Sequence, residues 1–315
     1  MICVKWDKNR CPKNIELPSG WVFYSFRQGD QPLWCGITPN LAQRLKVVRQ
    51  KAESDPRYGE NTAAADTLQI ETYPRAIDAL IRFKVFLRLH QVTFQHVMRT
   101  SRDYVYLALD GHRFPFVCVK EDTNDDWSYL GPWRGRFFLT DVMDTFARIL
   151  KLPYCETDSH PCVKHETGAC QGWCLALAEN LPEAEKPDLA KLDTLLRETY
   201  LHPQNGILEM VSQERDRYFD DLEFAKADLL DEEIDKLAQY RDWLGFLYVT
   251  KSLSFSEEDF GVENGLLSWC VYEGVRYEFV NAPVSYRENE LLAINLNDTD
   301  EARLLYEYHV KHHKG

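Results

Sequence analysis

The chain has 315 residues, 44% of them hydrophobic and 28% charged, with a formal net charge of −13. That length predicts two or three domains, and the acidic balance excludes a protein that coats nucleic acid or an anionic membrane by charge alone. No apolar run reaches the ~18 residues of a membrane-spanning helix, and the polar N-terminus lacks a signal-peptide core, so a cytoplasmic protein without membrane contact is expected. The nine cysteines are too sparse for a secreted disulfide scaffold. The charge is uneven: residues 1–150 hold 21 Lys+Arg against 17 Asp+Glu, while residues 151–315 hold 16 against 33. The two halves should therefore meet different partners.

In chain order, WVFYSF at 21–26, the polar RQGDQP stretch and LWCG predict a β-hairpin. Thr38 or Asn40 is placed to cap a helix carrying Leu41, Leu45 and Val48. Residues 52–65 have loop composition, and 67–72 are strand-like. A helix is expected over 76–90, with Ala76, Leu80, Phe83, Leu87 and His90 on one face and Ile77, Ile81 and Lys84 beside it. Short strand-like runs follow at 104–108 and 114–119 around DGHR, then an amphipathic helix over 138–150. The fold class is α+β: a small mixed sheet with covering helices.

Residues 183–242 are different, with 8 basic and 17 acidic side chains. Helical spacing of apolar residues runs from Val211 to Leu237, and Pro203, Asn205 and Gly206 separate this helix from another at 187–200. The pair predicts a helical hairpin suited to docking on a partner. Strand-like runs return over 251–295 (LSWCVY, VRYEFV, LLAINL), and 299–313 reads as a terminal helix. Its His309, His312 and His313 suit a helix C-terminus better than a metal site.

Four cysteines fall close together, as Cys155-x6-Cys162-x7-Cys170-x3-Cys174. Four thiolates in a loop can close around one metal centre, and Pro161, Gly168 and Gly172 let the backbone wrap tightly. The paired C-x2-C knuckles usual for zinc are absent, yet His160 and His165 are available as zinc ligands. The residues alone leave iron–sulfur and zinc open, with buried free thiols as the plain alternative.

The run YLGPWRG…FLTDVMDTFARILKLPYC…PCVKHETGACQGWC resembles UvrC, the nuclease subunit of bacterial nucleotide excision repair. That family carries a "YFGPF" element, a helix, a cysteine and then "RPC…IGRCLGPC", matched here by Tyr129–Trp133, Cys155, Pro161–Cys162 and Gly168–Cys174. The resemblance implies a [4Fe–4S] cluster on Cys155, Cys162, Cys170 and Cys174, with zinc as the alternative. Downstream, residues 220–237 resemble the UVR motif, whose core "LEFE-x-A" is met by Leu222, Glu223, Phe224 and Ala227. This implies a UvrB-like partner on the 183–248 hairpin. Upstream, residues 20–100 resemble a GIY-YIG nuclease domain.

Several positions depart from the family. The GIY tyrosine falls at Phe23, the YIG motif at Trp34–Gly36, the lysine after it at Ile37 and the metal-binding glutamate at Phe83. Of the expected groups the helix arginine remains, as Arg44. A hydroxyl near the attacking water and a carboxylate for a divalent cation are thus missing from their places. Residues 249–315 are too few for the ribonuclease-H-like and helix-hairpin-helix domains with which the family continues.

The expected organisation is a degenerate GIY-YIG-like domain (1–100), a four-cysteine linker region (101–182), the UVR-like hairpin (183–248) and a small α+β domain (249–315). The expected function is a DNA-repair protein without an intact incision site. It would bind a UvrB-like partner, and DNA through the N-terminal half, with Arg44, Lys46, Arg49 and Lys51 as phosphate contacts. The alternative is an active short homologue with a site rearranged around Arg44, Tyr24, Asp78 and His90. A third reading makes the cluster a redox sensor.

Overall fold

The computed structural model describes residues 1–7, 20–95, 104–155, 162–178, 181–203, 205–279 and 292–313. Cys11, His160, Pro161 and the side chain of His313 lie outside the described residues. The chain opens with strands β1 (Ile2–Lys5), β2 (Trp21–Gln28) and β3 (Gln31–Thr38). Helices α1 (Leu41–Ser54) and α2 (Pro56–Ala64), strand β4 (Thr67–Tyr73) and helix α3 (Ala76–Leu89) follow. Next come β5 (Val105–Leu109), β6 (Val117–Lys120), β7 (Ser128–Trp133), α4 (Arg136–Leu150) and the single turn α5 (Val163–Glu166). Helices α6 (Leu189–Leu201), α7 (Asn205–Asp220) and α8 (Phe224–Thr250) lead to β8 (Phe255–Ser256), β9 (Phe260–Glu263), β10 (Leu266–Tyr272) and β11 (Val275–Glu278). The chain ends in β12 (Leu292–Ala293) and α9 (Thr299–His313). The class is α+β, as the sequence predicts. Among the described residues no helix is long and apolar enough to cross a membrane.

The elements fall into two compact units, one of residues 1–101, 253–281 and 300–315, the other of 102–252 and 282–299. Residues 249–315, set apart by sequence as one small domain, are thus shared between the units. The reason is packing. Leu267 and Cys270 of β10 and Leu304 and Leu305 of α9 bury against Ile77, Leu80, Ile81 and Val85 of α3.

In the first unit, β1-β4-β2-β3 form an antiparallel sheet. Gly29 turns the β2–β3 hairpin at φ +55°, and its N–H donates to Asp66 Oδ2 at 2.9 Å. Asn40 caps α1, its Oδ1 accepting from the Gln43 N–H at 3.0 Å, and Leu41, Leu45 and Val48 bury on the sheet. Residues 56–64 are helical where the sequence has loop composition. Asp55 Oδ1 accepts from the N–H of Arg57 and Tyr58, and Pro56 stands where its missing N–H costs nothing.

Helix α3 is buried on two sides. Phe86 meets Phe23 and Cys35 of the first sheet, while Ile77, Leu80 and Val85 meet the core beneath the sheet β11-β10-β9-β8. That double burial replaces the single apolar face the sequence suggests: Phe83 and Leu87 are half-buried and His90 is exposed. Glu301 ties the packing together, accepting from Lys84 Nζ at 2.9 Å and from the Leu267 N–H at 2.9 Å.

In the second unit, β12-β7-β5-β6 form a sheet in which β12 runs parallel to β7. The YLGPW element is strand β7 itself. Trp133 stacks on Tyr240 of α8 at 4.3 Å between centroids, and Trp243 Nε1 donates to the Pro132 carbonyl at 2.8 Å. The helical hairpin is α7–α8, where the sequence pairs a helix at 187–200 with one unbroken helix beyond 206. The break comes at Leu222, which adopts φ +59° without being glycine. Helix α6 instead serves as a buttress, with the Tyr200 carbonyl accepting from the Tyr240 hydroxyl at 2.7 Å.

Candidate functional site

Three clusters bear on function, and each grows from a local feature of the sequence. The first is on the β2–β3 sheet. Successive strand residues point to opposite faces, so Phe23 and Tyr24 part company. Tyr24 shares the α1 face with Trp34, Phe26, Leu41 and Leu45. Its hydroxyl accepts a hydrogen bond from Arg44 Nε at 3.1 Å. Tyr24 lies opposite Gly36 in the ladder, and a Cβ there would stand 2.5 Å from the Tyr24 hydroxyl. The glycine of the WCG motif is therefore what lets Tyr24 lie flat beneath Arg44. Gly36→Ala is expected to push the ring out and to cost about 1–3 kcal/mol, read as a lower urea midpoint together with loss of the Tyr24–Arg44 bond. Burial pushes the neighbouring Tyr58 phenol up to about 12, with Tyr24 adding to the rise and Arg44 opposing it.

Phe23 sits on the α3 face with Cys35 and Phe86, and the Arg82 guanidinium lies 4.9 Å from its ring centroid. The positions that the sequence resemblance assigns to catalytic groups are therefore split by the sheet. Trp34 and Arg44 are on one side, Phe23 and Phe83 on the other. Asp78 is held by Arg75 through bonds of 3.0 and 2.6 Å, and His90 packs on Phe86 at 4.4 Å. Neither is brought to Tyr24 or Arg44 by any of these contacts.

The four basic side chains of α1 do not form one face either. Arg44 and Lys51 lie along one edge of the buried Leu41–Leu45–Val48 stripe and Arg49 along the other, since each residue advances about 100°. Arg49 stacks over Trp6 at 5.3 Å, while Lys46 is exposed.

A network on the α3 face was not legible from the sequence. Arg82 grips Glu71 in a fork of 2.8 and 2.9 Å, and Tyr73 and Gln69 also donate to that carboxylate, at 2.8 and 3.0 Å. Burial alone would raise the Glu71 carboxyl, but these hydrogen bonds outweigh it and hold it below the usual glutamate range.

The second cluster is the cysteine element. Helix α4 ends at Lys151, and Cys155 follows. Cys162 caps α5, Cys170 is buried, and Cys174 lies in the short 3-10 turn Trp173–Leu177. Lys164 staples the loop: its Nζ donates to the Tyr154 carbonyl at 3.0 Å, and its own carbonyl accepts from the Cys170 N–H at 2.9 Å. Gly172 has φ +76° and donates its N–H to Cys170 Sγ at 3.4 Å, and a Cβ there would meet His165 Nδ1 at 2.6 Å. That Nδ1 is buried without a hydrogen-bond partner among the described residues.

The thiols are near enough to act on one another. Burial pushes Cys155 up to about 12, with Cys174, Cys170 and Cys162 adding to the rise. They are also spread: among the described residues no three His, Cys, Asp or Glu side chains are drawn together closely enough to hold a metal ion. The chemistry of the set, four thiols with an N–H aimed at one sulfur, fits a thiolate-ligated centre.

The third cluster is the tip of the α7–α8 hairpin. The root is fixed, with Arg148 of α4 pairing Glu214 at 2.7 Å and also Glu233, and Lys236 pairing Asp141 at 2.6 Å. The tip carries apolar side chains into solvent. Leu222 is 73% exposed, and Phe219 and Phe224 are 58% and 48% exposed while meeting edge to face at 5.2 Å. Glu223, just before α8, pairs with Lys226, and Ala227 is buried within the hairpin.

UvrABC system protein C of Neisseria gonorrhoeae is 21% identical to this chain over 262 residues, 79% of this chain and 40% of that protein. The proteins of the same name from Methanosarcina acetivorans and Thermotoga maritima are 22% identical over 155 residues and 23% over 183, covering 30% and 32% of their lengths. The chain thus spans less than half the length of these relatives. No family model and no solved structure matches it. The similarities support a UvrC-like relationship over most of the chain.

Proposed function

We propose that this protein serves DNA repair as a UvrC-like binding protein that docks a UvrB-type partner and contacts DNA without incising it. The observation that carries the reading is the hairpin tip. Leu222 and Phe224, two positions of the UVR-like core, stand exposed on a hairpin whose root is locked by Trp133, Tyr240 and Trp243. Exposed aromatic and aliphatic side chains on a rigid scaffold are what a binding hot spot needs. Arg44 of α1, beside Tyr24, is the contact proposed for phosphate, because phosphate contacts position a protein on DNA without needing catalytic groups. The division of Phe23, Trp34, Arg44 and Phe83 between two faces of the sheet is what favours binding over incision.

In this reading Cys155, Cys162, Cys170 and Cys174 hold an iron–sulfur cluster. When bound, it would cross-link four points between α4 and the start of α6 and add its ligation energy to folding. The test of the docking claim is a titration of the full chain against purified UvrB. Saturable binding supports it, and absence of binding at partner concentrations of ~100 μM rejects it.

A further inference from the structure

The first unit contains a cavity of about 430 Å³ that the proposed function does not use. Its size is within the usual range for small-ligand sites, roughly 300–1,000 Å³. Four separate segments build it. Tyr73, Arg75 and Asp78 come from the end of β4 and the start of α3, Glu258 and Asp259 from the β8–β9 loop, Tyr272 from β10 and Tyr308 from α9.

Two properties of the lining point the same way. The rings of Tyr73, Tyr272 and Tyr308 line it: Tyr272 already has a guanidinium, that of Arg82, 5.9 Å from its centroid, and Tyr308 is held by Phe255 at 6.1 Å, by Phe260 at 5.5 Å and by His312 at 4.4 Å. The charge is acidic: Asp78, Glu258 and Asp259 line it beside one lining cation, Arg75, whose guanidinium is committed to Asp78 in a two-point fork and also feels Asp259. Among the described residues Glu258 and Asp259 are in no ion pair within 4 Å.

A concave site lined by aromatic rings and surplus carboxylate is complementary to an organic cation. The rings attract the positive charge through their quadrupoles, and the carboxylates accept its N–H groups. An anionic or neutral ligand would gain neither. We propose that this cavity binds an alkylammonium or guanidinium group, presented either by a free polyamine or by a lysine or arginine side chain of a peptide.

The experiment is calorimetric titration of the full chain with spermidine, with N-acetyl-argininamide and with its neutral isostere N-acetyl-citrullinamide. At least one of the cations is expected to bind at one site, and the citrulline compound about 10-fold or more weaker. Binding of spermidine alone identifies a free polyamine as the source; binding of the arginine compound identifies a peptide side chain. The double variant Glu258→Gln/Asp259→Asn, at two exposed positions, is expected to weaken binding about 10-fold, and Tyr272→Ser to weaken it comparably by removing a ring. Near-ultraviolet dichroism on each variant separates lost binding from lost folding. The proposal is overturned if neither cation binds at millimolar concentration, if citrulline binds as well as arginine, or if the folded double variant binds like the parent.

Discussion

Replacing any one of Cys155, Cys162, Cys170 or Cys174 with serine is expected to strip the protein of the proposed iron–sulfur cluster and to unfold the segment between α4 and α6. The magnitude follows from what else holds that segment. Among its described residues the regular structure is one turn of α5 and two short 3-10 turns, and Leu152, Pro153, Cys170, Trp173 and Cys174 are its buried side chains. A structural metal contributes on the order of 10 kcal/mol of apparent binding energy, against total stabilities of about 5–15 kcal/mol for ordinary domains. Loss of one ligand should therefore show as loss of bound iron and sulfide, and as new protease cleavage between residues 152 and 178. Cys3→Ser, at an exposed position remote in sequence, should change neither. Colourless protein carrying stoichiometric zinc would keep the four-thiol centre and reject iron–sulfur. Metal-free protein as stable as its serine variants would reject the centre altogether.

The second large effect is expected at the hairpin tip. Leu222→Asp with Phe224→Asp places two charges where the docking surface is proposed to be apolar. Hot-spot side chains of this kind contribute about 2–4 kcal/mol to binding, so affinity for UvrB should fall roughly 30- to 1,000-fold. Because Leu222 and Phe224 are exposed, the fold should be kept, and an unchanged far-ultraviolet spectrum checks this. Lys46→Ala, on α1 of the other unit, serves as the control and should leave UvrB affinity where it was. An equal loss in the tip variant and the control would show that the tip is not the docking surface.

Much of the fold could be read because its signals are local. The aromatic, apolar run at 21–26 and the Gly29 turn marked β2–β3, Asn40 marked the start of α1, and the YLGPW–cysteine order marked α4 and the loop after it. The failures have physical reasons. Gly59, Asn61 and the surrounding polar residues gave 52–65 the composition of a loop. The Asp55–Pro56 pair was the overlooked signal, a cap followed by a residue suited to the first helical position. The α7–α8 break was hidden because no glycine or proline marks it: Leu222 takes the left-handed conformation itself. The return of β8–β11 and α9 onto α3 was invisible because it rests on contacts far apart in sequence, such as Lys84 with Glu301.

Of the candidate sites, the cysteine set could be singled out because its four members are close in sequence. The organic-cation cavity could not, since its lining is drawn from four segments. The positions that the resemblance assigns to a nuclease site lie between these cases. Sequence located Phe23, Trp34 and Phe83, but the ladder register and the packing show that Trp34 lies on one side of the sheet and Phe23 and Phe83 on the other.

The measurement that bears most directly on a binding rather than an incising role is an incision assay on nicked, bubble-containing and damaged duplexes with Mg²⁺ or Mn²⁺, run with and without UvrB. The result expected is retention of the labelled DNA as complex without metal-dependent cleavage. Metal-dependent incision that disappears in Arg44→Ala would contradict it and would place an active site on the Tyr24–Arg44 face.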